Sequence, residues 1–259
     1  MMKFLIRRPT WNTQMKIRVL VLALAILVTI NVYFALHSKA KYNYREAIAT
    51  NGVQLHILES TPDQIQLLAI NENVVDTKKT GINGGFFYNQ DALSIAVQNH
   101  VPVMGTPRKY GSGWFNAKYN RGTLVWDGTQ KEFSVQSVKS VDELDIFDRD
   151  NYWAQGGISM NLADDNIWGL LAYYQALPAK DENRMRSGLV YDDMNRIFMI
   201  VSPTLCTASQ FRAAIQEQIA TDHFKEGIFL DGDGSSQLYT KRISLPGDHR
   251  KVVQMIALK

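Results

Sequence analysis

Two regimes of hydropathy divide the chain. Val19–Leu36 is an uncharged run of 18 residues whose one strongly polar member is Asn31. Beyond residue 50 the apolar positions come in short bursts that mostly alternate with polar ones, the period of a half-buried strand. Val53–Leu58 and Gln64–Leu67 alternate in this way on either side of Pro62 and Asp63, and predict a hairpin. Gly81–Phe87 predicts a third strand, interrupted by Gly84-Gly85. Gly122–Trp126 and Glu132–Val138 flank Asp127-Gly128, a turn signal for another hairpin. Ser187–Tyr191 and Arg196–Val201 predict one more, across the polar turn Asp192–Asn195. Tyr152–Ile158, Gly227–Leu230 and residues 236–240 and 252–257 supply the remaining strands.

Helical signals are few. Thr207-x-x-Gln210 has the spacing of a capping box, and Phe211, Ile215 and Ile219 then fall on one face. Ser140-Val141-Asp142-Glu143 has the same spacing and predicts a short helix, whereas residues 161–183 carry no clear period. The expected fold class is α+β: a single domain with a mixed, largely antiparallel sheet and few helices, preceded by one N-terminal transmembrane helix.

That helix is the apolar run, long enough at about 1.5 Å per residue to nearly span a bilayer core. Five basic residues precede it and three follow closely, so the positive-inside rule predicts a cytoplasmic N-terminus and a body outside. The expected layout is a cytoplasmic basic segment at 1–18, a signal-anchor at 19–36, a linker at 37–50 and a domain at 51–259. The alternative is a secreted body after signal cleavage, because Ser38-Lys39-Ala40 offers small residues at the right spacing. Both readings place the body outside the cytoplasmic membrane, and the first makes the membrane a partner; a buried core helix is the third reading of the same run.

Charge changes the picture of partners. Residues 1–45 hold eight Lys/Arg and no Asp or Glu, leaving 20 basic and 25 acidic residues in the remainder, a net of −5. The body therefore has no electrostatic footprint for nucleic acid. Cys206 is the one cysteine, so no intrachain disulfide forms, and its apolar surroundings favour a packed thiol over a reactive one. Paired Cys-x-x-Cys, His-Glu-x-x-His, phosphate-loop and nucleophile-elbow motifs are absent. Asp231-x-Asp233-x-Ser235 begins like a calcium loop, but Ser236 and Arg242 stand where that loop needs glycine and glutamate. Neither a metal nor a cofactor is expected.

Two glycine-broken strand ends carry the candidate chemistry. Asp231 ends an apolar strand and is followed by Gly232-Asp233-Gly234-Ser235-Ser236. A carboxylate there needs charge partners, and consecutive N–H groups of such a turn can hold an anion. A tight turn capped by Asp and Ser explains the same residues. Asn83 precedes Gly84-Gly85 and three aromatics, suiting it either to sugar hydroxyls or to a turn over core aromatics. Arg184 and Arg186 precede another apolar run, as phosphate ligands or as surface charges.

Together, Ile82-Asn83-Gly84-Gly85-Phe86-Phe87, Gln155-Gly156-Gly157, Arg186-Ser187-Gly188 and Leu230–Ser236 resemble the motifs of the phosphodiester glycosidase family, over roughly residues 50–257. Asp233 departs from that pattern, since glycine is usual there, and Arg186-Ser187-Gly188 is shortened. The resemblance implies hydrolysis of the glycosidic bond of a sugar-1-phosphodiester, such as an N-acetylglucosamine-1-phosphodiester, in a glycan, envelope polymer or exopolysaccharide. It implies Asp231 as base or nucleophile and Arg186 as a phosphate clamp. Asn83, Ser235 and Ser236 would hold sugar hydroxyls, Gly84, Gly85, Gly232 and Gly234 would permit close approach, and Asp233 could exchange roles with Asp231. A phosphate leaves with little protonation, so one carboxylate can suffice where ordinary glycosidases use two. A phosphodiesterase cleaving the P–O bond and a non-catalytic glycopolymer-binding module are the competing readings.

Overall fold

The structure, a computed structural model, describes residues 13–37 and 42–259. The chain divides into two compact units, residues 1–40 and 41–259. In the first, Thr13–His37 is a single helix whose side chains from Arg18 to Thr29 are exposed. Among the described residues no helix is long and apolar enough to cross a membrane, which corrects the transmembrane helix expected at 19–36. Most of the basic segment 1–18 and the cleavage candidate Ser38-Lys39-Ala40 lie outside the described residues.

The second unit is built of antiparallel sheets. In the six-stranded sheet the order is Asn43–Ile48, Gln54–Ser60, Ile197–Cys206, Arg184–Asp192, Lys225–Phe229 and Ile158–Ser159. A five-stranded sheet centres on Tyr152–Gly156, flanked by Arg121–Asp127 and Ala96–Gln98. Another runs Ser244–Leu245, Leu238–Tyr239, Gly81–Asn83, Val252–Leu258 and Ile65–Glu72. The α+β class is as expected. The single mixed sheet is not: several sheets form, and every ladder between their strands is antiparallel.

Local turn chemistry lands where it was read. Arg121–Asp127 pairs with Glu132–Val138 across the Asp-Gly turn, with Trp126 opposite Phe133. Tyr191 faces Ile197 across the 192–196 turn. Thr207 and Gln210 form the full capping box of the helix Ala208–Gln218. The hairpin expected from Val53–Leu58 and Gln64–Leu67 does not form. Those strands exist, but Gln54–Ser60 pairs with Asn43–Ile48 and Ile197–Cys206, while Ile65–Glu72 pairs with Val252–Leu258. Asn43–Ile48, expected in a linker, is thus an edge strand. At Ser140 the hydroxyl donates to the Glu143 carboxylate instead of capping a backbone N–H, and only the 3-10 turn Val141–Glu143 results. The unassigned stretch contains the helix Asp165–Tyr174, capped by Asp164 accepting from the Asn166 N–H at 2.8 Å.

The central strands of the six-stranded sheet are buried on both faces, and so Ile197–Val201 and Gly227–Leu230 read as continuous apolar runs rather than alternating ones. Val190, Ile200 and Phe229 point to the face covered by Phe211 and Ile215 of the capped helix. Their neighbours Leu189, Met199 and Ile228 point to the opposite face, against Leu124, Trp126, Ile82 and Ile256 of the other two sheets. Each such side chain taken fully from water contributes about 1.5–3 kcal/mol. This double packing fixes the strand that ends at Phe229, and the chain leaves it directly into Leu230 and Asp231.

Candidate active site

Asp231 is held from behind by an amide. The Asn83 side chain is 1% exposed and donates from Nδ2 to the Asp231 carbonyl at 2.8 Å and to the Gly84 carbonyl at 3.2 Å. Its Oδ1 accepts from the Ser187 hydroxyl at 2.8 Å and from the Gln237 N–H at 3.1 Å. Asn83 therefore ties together the ends of Gly81–Asn83, Arg184–Asp192 and Lys225–Phe229. With both its N–H groups and its oxygen taken, the amide has nothing left for a sugar hydroxyl.

Gly84-Gly85 serves the same web. A Cβ at Gly84 would overlap Gln254 Oε1, and one at Gly85 would lie 2.5 Å from Ser94 Cβ. Gln254 Oε1 accepts the Gly85 N–H at 2.9 Å, and Gln254 Nε2 donates to Gln155 Oε1 at 2.9 Å. The glycine pair thus admits two buried amides rather than a ligand. Gln155, from the Gln-Gly-Gly motif, is wholly buried in the same network.

In front of this web lies a cavity of about 220 Å³. Phe86, Leu177, Pro178 and Phe229 form its apolar side, and Arg184, Arg186, Arg250, Asp231 and Asp233 its charged side. Of the residues expected from sequence, the cavity brings together Asp231, Gly232, Asp233 and Arg186. Asn83, Gly84, Gly85, Gly234, Ser235 and Ser236 are not among the residues that line it. Gly234 packs against the Asp248–Arg250 pair, which a Cβ would strike. Ser236 Oγ is buried without a hydrogen-bond partner among the described residues, and Ser235 Oγ nears the Asp231 carboxyl without full hydrogen-bonding geometry.

Burial pushes the Asp231 carboxyl up from 3.8 to about 6, and Asp233 adds to the rise. The Ser235 hydroxyl, the Arg250 charge and the Gly232 N–H oppose it. A carboxylate near 6 is ionised at neutral pH yet basic enough to take a proton.

The three arginines are engaged differently. Arg186, 5% exposed, donates from Nε to the Cys206 carbonyl at 3.1 Å and from Nη2 to the Ala179 and Glu182 carbonyls at 2.6 and 2.7 Å. It fastens the 179–182 loop beside the cavity, and its burial lowers its pKa. Arg184 grips Glu182 through Nη2 at 2.6 Å and reaches Asp233 through Nη1 at 3.3 Å. Arg250 holds Asp248 through bonds of 2.5 to 3.0 Å. Arg250 was not singled out in the sequence. Arg250 has no motif of its own, and Phe86 stood among three equivalent aromatics.

The catalytic domain of zebrafish N-acetylglucosamine-1-phosphodiester alpha-N-acetylglucosaminidase, solved auto-inhibited by its pro-peptide, matches this structure with a TM-score of 0.54. Sequence identity is 12%, over 86% of this chain and 84% of that one. The shared feature is the fold. A hypothetical protein from Synechocystis matches at a TM-score of 0.47 and 13% identity, over 84% of this chain and 61% of that one. No family model and no curated protein sequence matches the chain. At this identity the likeness is one of fold, and the family expected from the motifs is not shown.

Proposed function

We propose that this protein is a hydrolase of sugar-1-phosphodiesters that cleaves the bond between the anomeric carbon and the phosphate oxygen. The observation that carries the reading is that Asp231, its carboxyl raised by burial, shares one small cavity with three arginines and an apolar wall. Asp231 acts at the anomeric carbon, as a base that takes a proton from water or as a nucleophile. The C–O bond breaks with its electrons on the phosphate, and the arginines stabilise the charge that develops there. Free sugar and a phosphomonoester are the products. Phe86 and the apolar wall offer a face for the sugar ring. Likeness of fold to a phosphodiester glycosidase supports the reaction class.

We place its action outside the cytoplasmic membrane, where a glycan, envelope polymer or exopolysaccharide would carry the substrate. Protease accessibility in intact cells tests that location. The reaction is tested by incubating the purified chain and Asp231→Asn with an α-linked N-acetylglucosamine-1-phosphodiester and resolving products by mass. Free sugar from the wild type alone supports the proposal. Sugar 1-phosphate instead means P–O cleavage, and binding without product across several sugars means a glycopolymer-binding module.

A further inference from the structure

Asp233 is the cavity residue that the reaction leaves without a task. Its backbone is left-handed, with φ 53°, a conformation that glycine adopts freely and other residues resist. Its carboxylate nonetheless faces the cavity, beside Asp231 and 3.3 Å from Arg184 Nη1. Arg184 and Arg250 are 41% and 44% exposed, line the cavity, and are held by carboxylates rather than by the main chain. Arg186 differs, because its Nε and Nη2 are committed to three carbonyls. The two outer guanidinium groups are therefore the ones whose partners an incoming anion can replace.

We infer that Arg184 and Arg250 form the oxyanion-binding pair of this cavity, and that Asp233 selects a singly charged oxyanion, a phosphodiester, over a doubly charged one, a phosphomonoester. The inference rests on the proposed function for its ligand class. The charges give its direction. Three guanidinium groups in the lining meet the carboxylates of Asp231 and Asp233, with Glu182 and Asp248 behind them. One negative charge on a ligand can take the place of the long Asp233 contact on Arg184. A second would lie beside Asp231 and Asp233, in a lining whose three guanidinium charges are already outnumbered by the four carboxylates, a repulsion of about tenfold or more in affinity at an effective dielectric near 20. A product that gains a charge on cleavage is then expelled by the residue that admitted its precursor.

The test is calorimetric titration of the full chain at pH 8 with diethyl phosphate, a monoanion, and ethyl phosphate, a dianion at that pH. The wild type is expected to bind diethyl phosphate about tenfold more tightly, and Asp233→Gly to bring the two near parity. Arg184→Gln and Arg250→Gln are expected to weaken diethyl phosphate about tenfold each. Thermal unfolding checks that each variant is folded. Equal binding of the two probes by the wild type, no binding of either, a preference that survives in Asp233→Gly, or arginine variants that bind like the wild type would each overturn the inference. The titration needs no turnover. Charge selection without hydrolysis removes the proposed reaction and keeps the site, whereas hydrolysis without charge selection does the reverse.

Discussion

The two glycine-broken motifs are near twins in sequence and opposites in the folded protein. Around Asn83-Gly84-Gly85 every group is neutral, buried and paired, through Asn83, Gln254, Gln155 and Gln237. Around Asp231 and Asp233 the side chains are charged and half-buried, and Asp233 pairs with Arg184. The first region grips the main chain of the second, at the 2.8 Å bond from Asn83 to the Asp231 carbonyl. Holding the backbone of Asp231 with neutral amides leaves its carboxyl free to sit where ionisation is unfavourable. Rigidity and reactivity are thus assigned to different residues a few ångströms apart.

That division is most sharply tested at Asp231. Asp231→Asn is expected to lower kcat by about a thousandfold, while raising stability at pH 8. Its pKa is higher in the folded protein than the ordinary 3.8, so the folded state binds the proton more tightly. The stability this gives is full below about 4 and is lost as pH rises through about 6. The amide avoids that loss, worth about 3 kcal/mol at pH 8 and nothing near pH 4, as urea denaturation at the two pH values measures. Asn83→Ala should do the reverse, destabilising by about 3 kcal/mol because it strands several buried groups. A variant that kept full stability but lost turnover would make Asn83 a ligand contact and erase the contrast.

Smaller effects sharpen it. If Asp231 works as its carboxylate, kcat/KM rises about tenfold per pH unit below about 6 and levels above it, a profile that stopped-point assays from pH 4 to 8 report. Thr207→Ala, far along the chain from both motifs, should cost about 1 kcal/mol through its helix cap and leave that profile unmoved. Asp233→Gly should change stability by less than about 1 kcal/mol, since relief of its left-handed backbone offsets loss of a half-exposed ion pair.

What was legible in the sequence was local. The Asp127-Gly128 turn, the 192–195 turn and the Thr207 capping box are decided by residues within a few positions, and each formed as read. Strand partners are decided across the chain. Pro62 and Asp63 suggested a hairpin, yet the better apolar surfaces lay at Ile197–Cys206 for one strand and Val252–Leu258 for the other. The helix Asp165–Tyr174 hid behind Gly169, which weakens the helical signal at its centre. In the site, Asp231 was legible because a strand that ends in a carboxylate is locally odd. The purpose of Gly84-Gly85 was not, since the side chain it accommodates, Gln254, lies at the far end of the domain. Arg250 reaches the cavity only through the same long-range packing.

That packing also sets a timetable. Val252–Leu258 lies between Gly81–Asn83 and Ile65–Glu72, so a strand synthesised late is inserted between two synthesised early. Closing loops of such length is slow. During synthesis Gly81–Asn83 has both hydrogen-bonding edges bare until Leu238–Tyr239 and Val252–Leu258 emerge, and Arg250 arrives with the second of these. A nascent chain therefore has no complete cavity at any earlier stage, and until then the open edges are exposed to pairing with other strands.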